Sequence, residues 1–334
     1  MNSRITILAA VSAAVLVATS GPLIAGPLNP PAGPVAPTPG PEPRIAINAT
    51  NTPGDSDSTF RITSPGSYYL TAQVAAAPNK VGIEIDADGV TIDLNGFRIA
   101  GFPGSLDGIR TSGSQHTNIT IKNGSVGPVS GNGISLGYAG DPARACRVEG
   151  VTVIACGETG IAAYDDAVIT NCIITDCGSF GIYAPFAAAI SDCVVSRCST
   201  GIFLADDGAV TDCLVSECKS DGILLAGAGR VENNTCAHNG TESTTGAGIH
   251  VFGSASHGAV LEGNHCSSND RGIWVEGTGT TIISNTCSFN PWVIAAGNYY
   301  GPIIDRVNVA TPGVFGASAA GTLNTTDPSA NFSY

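Results

Sequence analysis

Apolar and polar positions along the chain follow a repeat. Gly-Ile followed by a short apolar run recurs nine times, at Gly82, Gly108, Gly133, Gly160, Gly181, Gly201, Gly222, Gly248 and Gly272, spaced 20 to 27 residues apart. Ahead of most of these runs lies a second shared block: ITNCIITDC, ISDCVVSRC and VTDCLVSEC, then VENNTCAHN, LEGNHCSSN and IISNTCSFN. A fixed period of this length means a solenoid, in which each unit buries its apolar face only against its neighbours. Within one period the apolar positions divide into three short strands (the GI run, VTD and LVS), separated by Gly, Asn and Asp. Brief strands rich in Val and Ile fit parallel strands stacked rung on rung. The expected fold class is therefore all-β, a right-handed parallel β-helix of about nine to eleven rungs with a cap at each end. Nine rungs at ~4.8 Å give a rod of about 40 Å.

Strand alternation assigns the faces. The isoleucine of each GI pair points inward, so Ile83, Ile109, Ile134, Ile161, Ile182, Ile202, Ile223, Ile249 and Ile273 should form one buried ladder. The residue two after each glycine points outward: Glu84, Arg110, Ser135, Ala162, Tyr183, Phe203, Leu224, His250 and Trp274. Four after the glycine, the outward positions add Asp86, Tyr164, Phe252 and Glu276. One end of this face is charged, and the other carries an apolar column of unusual length for an outer surface. Insertions before the GI strand (100–107, 127–132, 239–247) and after it (138–145, 253–259) would wall the face into a groove.

The N-terminus reads as a secretory signal. Arg4 precedes an uncharged apolar run from Ile5 to Ala18, too short for a spanning helix of ~20 residues. The expected division is signal peptide 1–25, Pro-rich linker 26–43, N-terminal cap 44–81, repeats 82–290 and C-terminal cap or tail 291–334. The expected location is outside the cytoplasm (extracellular, cell surface or periplasmic), with no transmembrane segment left after signal cleavage. A net charge of −13, with 14 basic residues in no cluster, argues against a nucleic-acid partner.

The eleven cysteines fall in columns. Cys172, Cys193 and Cys213 share one repeat position; Cys156, Cys177, Cys198 and Cys218 share another. Later rungs place Asn234, Asn264 and Asn285, and Asn239, Asn269 and Asn290, in the same two columns. Cys236, Cys266 and Cys287 stand where earlier rungs have Ile174, Val195 and Val215, and so act as small hydrophobes. Ladder spacing lies within disulfide reach, but parallel side chains seldom give the required dihedral, which favours stacked thiols. A column diverges where zinc needs convergent ligands, so no metal and no cofactor is expected.

PGSYYLT, GIEIDADGVTIDLNGF, the GI and Cys/Asn repeats and the closing IAAGNYYGPI together resemble bacterial exported proteins with right-handed β-helix repeats, in the pectin-lyase-like superfamily. The resemblance covers residues 60–305. It implies substrate lying along the GI sheet in the superfamily's enzymes. That superfamily contains lyases, hydrolases, epimerases and tailspikes, and a fold does not carry its chemistry with it. No Asp-Pro-His-Asp epimerase signature occurs, nor do the paired-aspartate and Gly-His-Gly patterns of pectin hydrolases.

Tyr164, Tyr183, Phe203, Leu224, Phe252 and Trp274 are the candidate substrate-binding residues, since aromatic faces offer sugar rings a large apolar area. The competing reading has the 291–334 tail lying over them. His250, Asp270, Arg271 and Glu276 are the candidate catalytic group, a base, carboxylates and a guanidinium on adjacent rungs, with an ordinary exposed ion pair as the alternative. Asp165-Asp166 and Asp206-Asp207 share a turn position and read as turn formers. Glu84, Asp86, Asp88 and Asp93 serve the cap, with Arg110 pairing to Glu84 or Asp86. The leading functional expectation is a non-catalytic exported protein binding a polysaccharide or other cell-envelope component along the aromatic face. The alternatives are a polysaccharide lyase or glycoside hydrolase in the same groove, and a purely structural envelope or adhesion protein.

Overall fold

The computed structural model describes residues 44–113, 115–138, 140–242, 246–253, 258–305 and 327–333. The expected signal peptide and linker lie outside the described residues. From Ile45 onward the chain is a coil of short strands in which each strand pairs in parallel with its counterpart one turn later. Eleven strands follow one another in the GI sheet, from Ser58–Ile62 to Val293–Ile294. The other two strands of each turn stack in the same way, for example Val168–Thr170 on Ala189–Ser191 and Ile173–Thr175 on Val194–Ser196. The ladder begins within the segment expected to cap it: Ser58–Ile62 already pairs with Val81–Ile85. No helix among the described residues is long and apolar enough to cross a membrane.

All nine GI isoleucines are fully buried and lie in register. The glycine before each isoleucine is a matter of space. A Cβ on Gly181 would stand 2.3 Å from Val195 Cγ1 and 2.7 Å from the Gly201 carbonyl, and Gly201 meets Val215 and Gly222 in the same way. The corner between the second and third strands is a single left-handed residue, filled by Asn171, Asp192, Asp212 and Asn233 on successive turns. Asn and Asp tolerate that conformation better than other side chains with a Cβ.

All eleven cysteines are free and buried. Burial pushes the Cys146 thiol up to about 11 and that of Cys218 up to about 12, so these thiols stay protonated at neutral pH. In the central rungs Cys172, Cys193 and Cys213 each donate a weak bond to the carbonyl two residues back, at 3.3, 3.2 and 3.2 Å. In the later rungs asparagine at this position does more. Asn264 Oδ1 accepts from the Asn234 amide nitrogen and from its Nδ2, both at 3.0 Å, while Asn264 Nδ2 donates to the Val231 carbonyl at 2.7 Å. The ladder ends on Asn331, whose Oδ1 accepts from Asn285 N at 3.0 Å. Its strand, Asn331–Ser333, pairs with both Thr286–Ser288 and Ile303–Asp305. The described C-terminal residues thus add to the coil rather than crossing the GI sheet.

Candidate functional site

The outward column follows the alternation expected of it. Glu84, Arg110, Ser135, Ala162, Tyr183, Phe203, Leu224, His250, Trp274 and Val293 pair each to the next along the GI sheet. Tyr164, Tyr183, Phe203, Leu224 and Trp274 are half-buried, and Phe252 is 54 % exposed.

Ring orientation is where the structure departs from an open stacking platform. Tyr183 and Phe203 stack on each other with centroids 5.0 Å apart and planes 12° apart. His250 and Trp274 stack at 3.8 Å and 6°. Ring faces are therefore turned along the coil axis, toward the neighbouring rung. Ring edges are left facing outward. Tyr164 packs edge-on to Tyr183 at 5.8 Å, and burial raises its phenol above the usual range. Phe252 meets His250 edge-to-face at 5.8 Å.

One residue ahead of each GI glycine is a second contributor that the column alone did not reveal. There Phe180 packs on Tyr183 and Phe203 at 5.2 and 5.6 Å. At the equivalent position four rungs on, the Arg271 guanidinium lies over the Trp274 ring at 4.2 Å, a cation–π arrangement.

Three of the four candidate catalytic residues come together. His250 Nε2 lies 3.5 Å from Glu276 Oε1, and Arg271 joins through Trp274. Asp270 does not share this cluster: it is exposed, with its carboxylate against Gly240, where a Cβ would come within 2.7 Å of Oδ2. Its place is taken by Asp221, whose Oδ2 is 3.1 Å from His250 Nδ1 and whose Oδ1 accepts the Ala247 amide at 2.8 Å. Asp107 accepts the Asn132 amide at 2.7 Å from the matching position. The signal was present in the sequence, because Asp-Gly-Ile occurs at both 107–109 and 221–223. The His250 ring is only 5 % exposed. Its Nε2 makes no hydrogen bond.

The charged end of the same face is an ion-pair ladder. Arg61 contacts Asp55 and Asp86 at 2.7 Å each and Glu84 at 3.5 Å. Arg110 contacts Glu84 at 2.9 Å, one of its two expected partners, and also Asp57 at 2.8 Å. Asp88 faces His116 at 3.5 Å and Asp93 faces Arg44 at 3.3 Å. The turn aspartates Asp166 and Asp207 both sit in the left-handed region, with Ala187 at the same place on the rung between. Asp165 pairs with Arg144 at 3.2 Å. No cluster of three or more metal-ligating side chains occurs among the described residues.

Residues 107–257 match a family model described as a right handed beta helix region. The fold is a right-handed parallel β-helix. Among solved structures, the A-modules of two mannuronan C-5 epimerases from Azotobacter vinelandii are similar. One is 15 % identical with a TM-score of 0.51, over 80 % of this chain and 87 % of that one; the other is 15 % identical with 0.52, over 81 % and 91 %. Tailspike protein 2 from an Escherichia coli O157:H7 bacteriophage is 11 % identical with a TM-score of 0.52, over 73 % of this chain and 38 % of that one. A comparison with curated proteins finds no match by sequence. At these identities the solved structures establish the fold alone.

Proposed function

We propose that this protein is exported and binds a glycan along the outer face of the GI sheet. The observation that carries the reading is the unbroken outward column from Ala162 to Val293. Its Tyr183, Phe203, Leu224, Trp274 and Val293 are part-exposed, while Ala162 and His250 are buried, on a sheet whose described C-terminal neighbours continue the coil instead of covering it. A contiguous apolar stripe on a soluble surface marks a binding site. Tyrosine hydroxyls, Arg271 and Glu276 supply the polar groups that would orient a sugar. Because ring faces pair with one another, contact is made through ring edges, with Phe252 offering the most accessible ring.

A lyase or hydrolase in the same groove would need the Asp221–His250–Glu276 group to reach a sugar. With the ring 5 % exposed and stacked on Trp274, that group serves better to hold Trp274, and the non-catalytic reading is preferred. Phe252 separates binding from folding, since the coil does not depend on it. Phe252→Ala should weaken glycan binding by about 1–3 kcal/mol, the loss of an exposed aromatic anchor, with an unchanged melting temperature. Full binding by this variant in a glycan-array and titration experiment would sink the groove reading. Unsaturated or reducing-end products released by the wild type and lost in His250→Ala would replace it with the enzymatic one.

A further inference from the structure

We infer that the glycan bound in this groove is uncharged; this rests on the reading above. The argument is the placement of the cations near the face, of which Arg271 lies over the Trp274 ring at the C-terminal end. Between the Arg110 rung and the Arg271 rung the outward column holds Ser135, Ala162, Tyr183, Phe203, Leu224 and His250, with no lysine or arginine. Cations near the margins of these rungs face carboxylates: Arg144 toward Asp165 at 3.2 Å and Lys219 toward Glu242 at 3.2 Å. At the charged end, Arg61 and Arg110 are bracketed by Asp55, Asp57, Glu84 and Asp86.

Acidic groups line both rims instead. After the GI strands come the exposed Asp166, Asp206 and Asp207 and the part-exposed Glu276; before them comes the exposed Asp270. A polyuronate or sulfated chain would lay negative charges over rungs from Ser135 to His250 that offer none of the opposite sign, with Arg271 beyond them already held over Trp274. It would do so beside exposed carboxylates on a protein of net charge −13. Like-charge juxtaposition of this kind weakens binding and slows encounter. A neutral chain meets no such cost and gains the same apolar contact.

The test uses matched ligands that differ only in charge, with the full-length protein. Mannuronan is titrated against its carboxyl-reduced form, polygalacturonate against its carboxyl-reduced form, and two unmodified neutral polysaccharides are included. The inference expects at least about tenfold tighter binding of each neutral partner. It also expects an affinity that changes less than about twofold between low and high salt, because no ion pair is there to be screened. The double variant Asp206→Asn/Asp207→Asn should leave neutral binding unchanged and raise binding of the charged chains severalfold at low salt. Tighter binding of the charged partner, released by salt, overturns the inference while leaving the groove reading intact. Binding by no member of any pair overturns both.

Discussion

The two ends of the GI sheet's outer face occupy the same repeat positions and are held by opposite physics. At the N-terminal end Arg61, Glu84 and Arg110 alternate in sign, rung on rung. The Glu84 side chain is 4 % exposed and bound on both sides. Toward the C-terminal end Tyr183 stacks on Phe203 and His250 on Trp274. Both solutions answer one constraint: parallel strands put like positions directly over each other, so each outward residue must suit the one above and the one below. Alternating charges satisfy that constraint and leave the surface self-paired. Stacked rings also satisfy it, but leave apolar edges facing water. The second end is thus the one with affinity left over for a ligand.

The largest effect lies underneath both ends. Ile202→Asp would place a carboxylate in the dry ladder between Ile182 and Ile223. The unpaired charge should cost more than the whole stability of a typical domain, giving a protease-sensitive chain with no cooperative melt. A folded, protease-resistant variant would show that the two faces of the GI strand have been misassigned.

Glu84→Ala comes next. It removes the shared partner of Arg61 and Arg110, and about 2–3 kcal/mol of stability is expected. This is below the range for a fully buried pair, because both arginines are about a third exposed and keep Asp55, Asp57 and Asp86. On the aromatic end, Phe203→Leu keeps the bulk and loses the ring pairing with Tyr183 and Phe180, worth about 0.5–1.5 kcal/mol. Denaturant midpoints in low and high salt sharpen the contrast. The Glu84 loss should shrink as salt screens the ladder, and the Phe203 loss should not. Equal salt response at both positions would mean the two ends are not held differently.

How far this was legible differs between inside and outside. The isoleucine ladder, its preceding glycines and the Cys-to-Asn exchange could be read from spacing, because a dry interior admits few side chains at each place and repeats them. Asp221 was missed. It stands one residue ahead of the GI pair, where successive rungs carry Asp107, Asn132, Thr159, Phe180 and Thr200; the shared Asp-Gly-Ile sets it apart, but its role shows only in the contact with His250. Phe180 escaped for the same reason. That the rings would turn their faces to one another was also not legible. Spacing says which residue lies above which, whereas ring rotation is set by the rungs on either side. Asp270 shows the converse: adjacent in sequence to Arg271, it is carried to Gly240 and away from the imidazole.

The smallest effect is a local one and concerns protons. Asp55 is held well below the ordinary carboxylate range, first by the hydroxyl of Ser58, then by the Asp57 amide and Arg61. A carboxyl whose folded value is depressed stabilises the fold above its unfolded value of about 3.9, and that contribution is lost as pH falls through this value and below. Acid should therefore loosen the Asp55–Arg61–Asp86 network while leaving the Tyr183–Phe203 rungs, which are joined by apolar contact, as they were. Hydrogen exchange measured at pH 7 and near pH 3, each corrected for intrinsic rates, would read this directly. Protection across 58–62 and 81–85 should fall, while protection across 180–184 and 200–205 should hold. Asp55→Asn should abolish the pH dependence at the first site. If both pairs of strands lose protection together, the coil responds to acid as one cooperative unit, and the difference between its ends is one of surface chemistry without a difference in local stability.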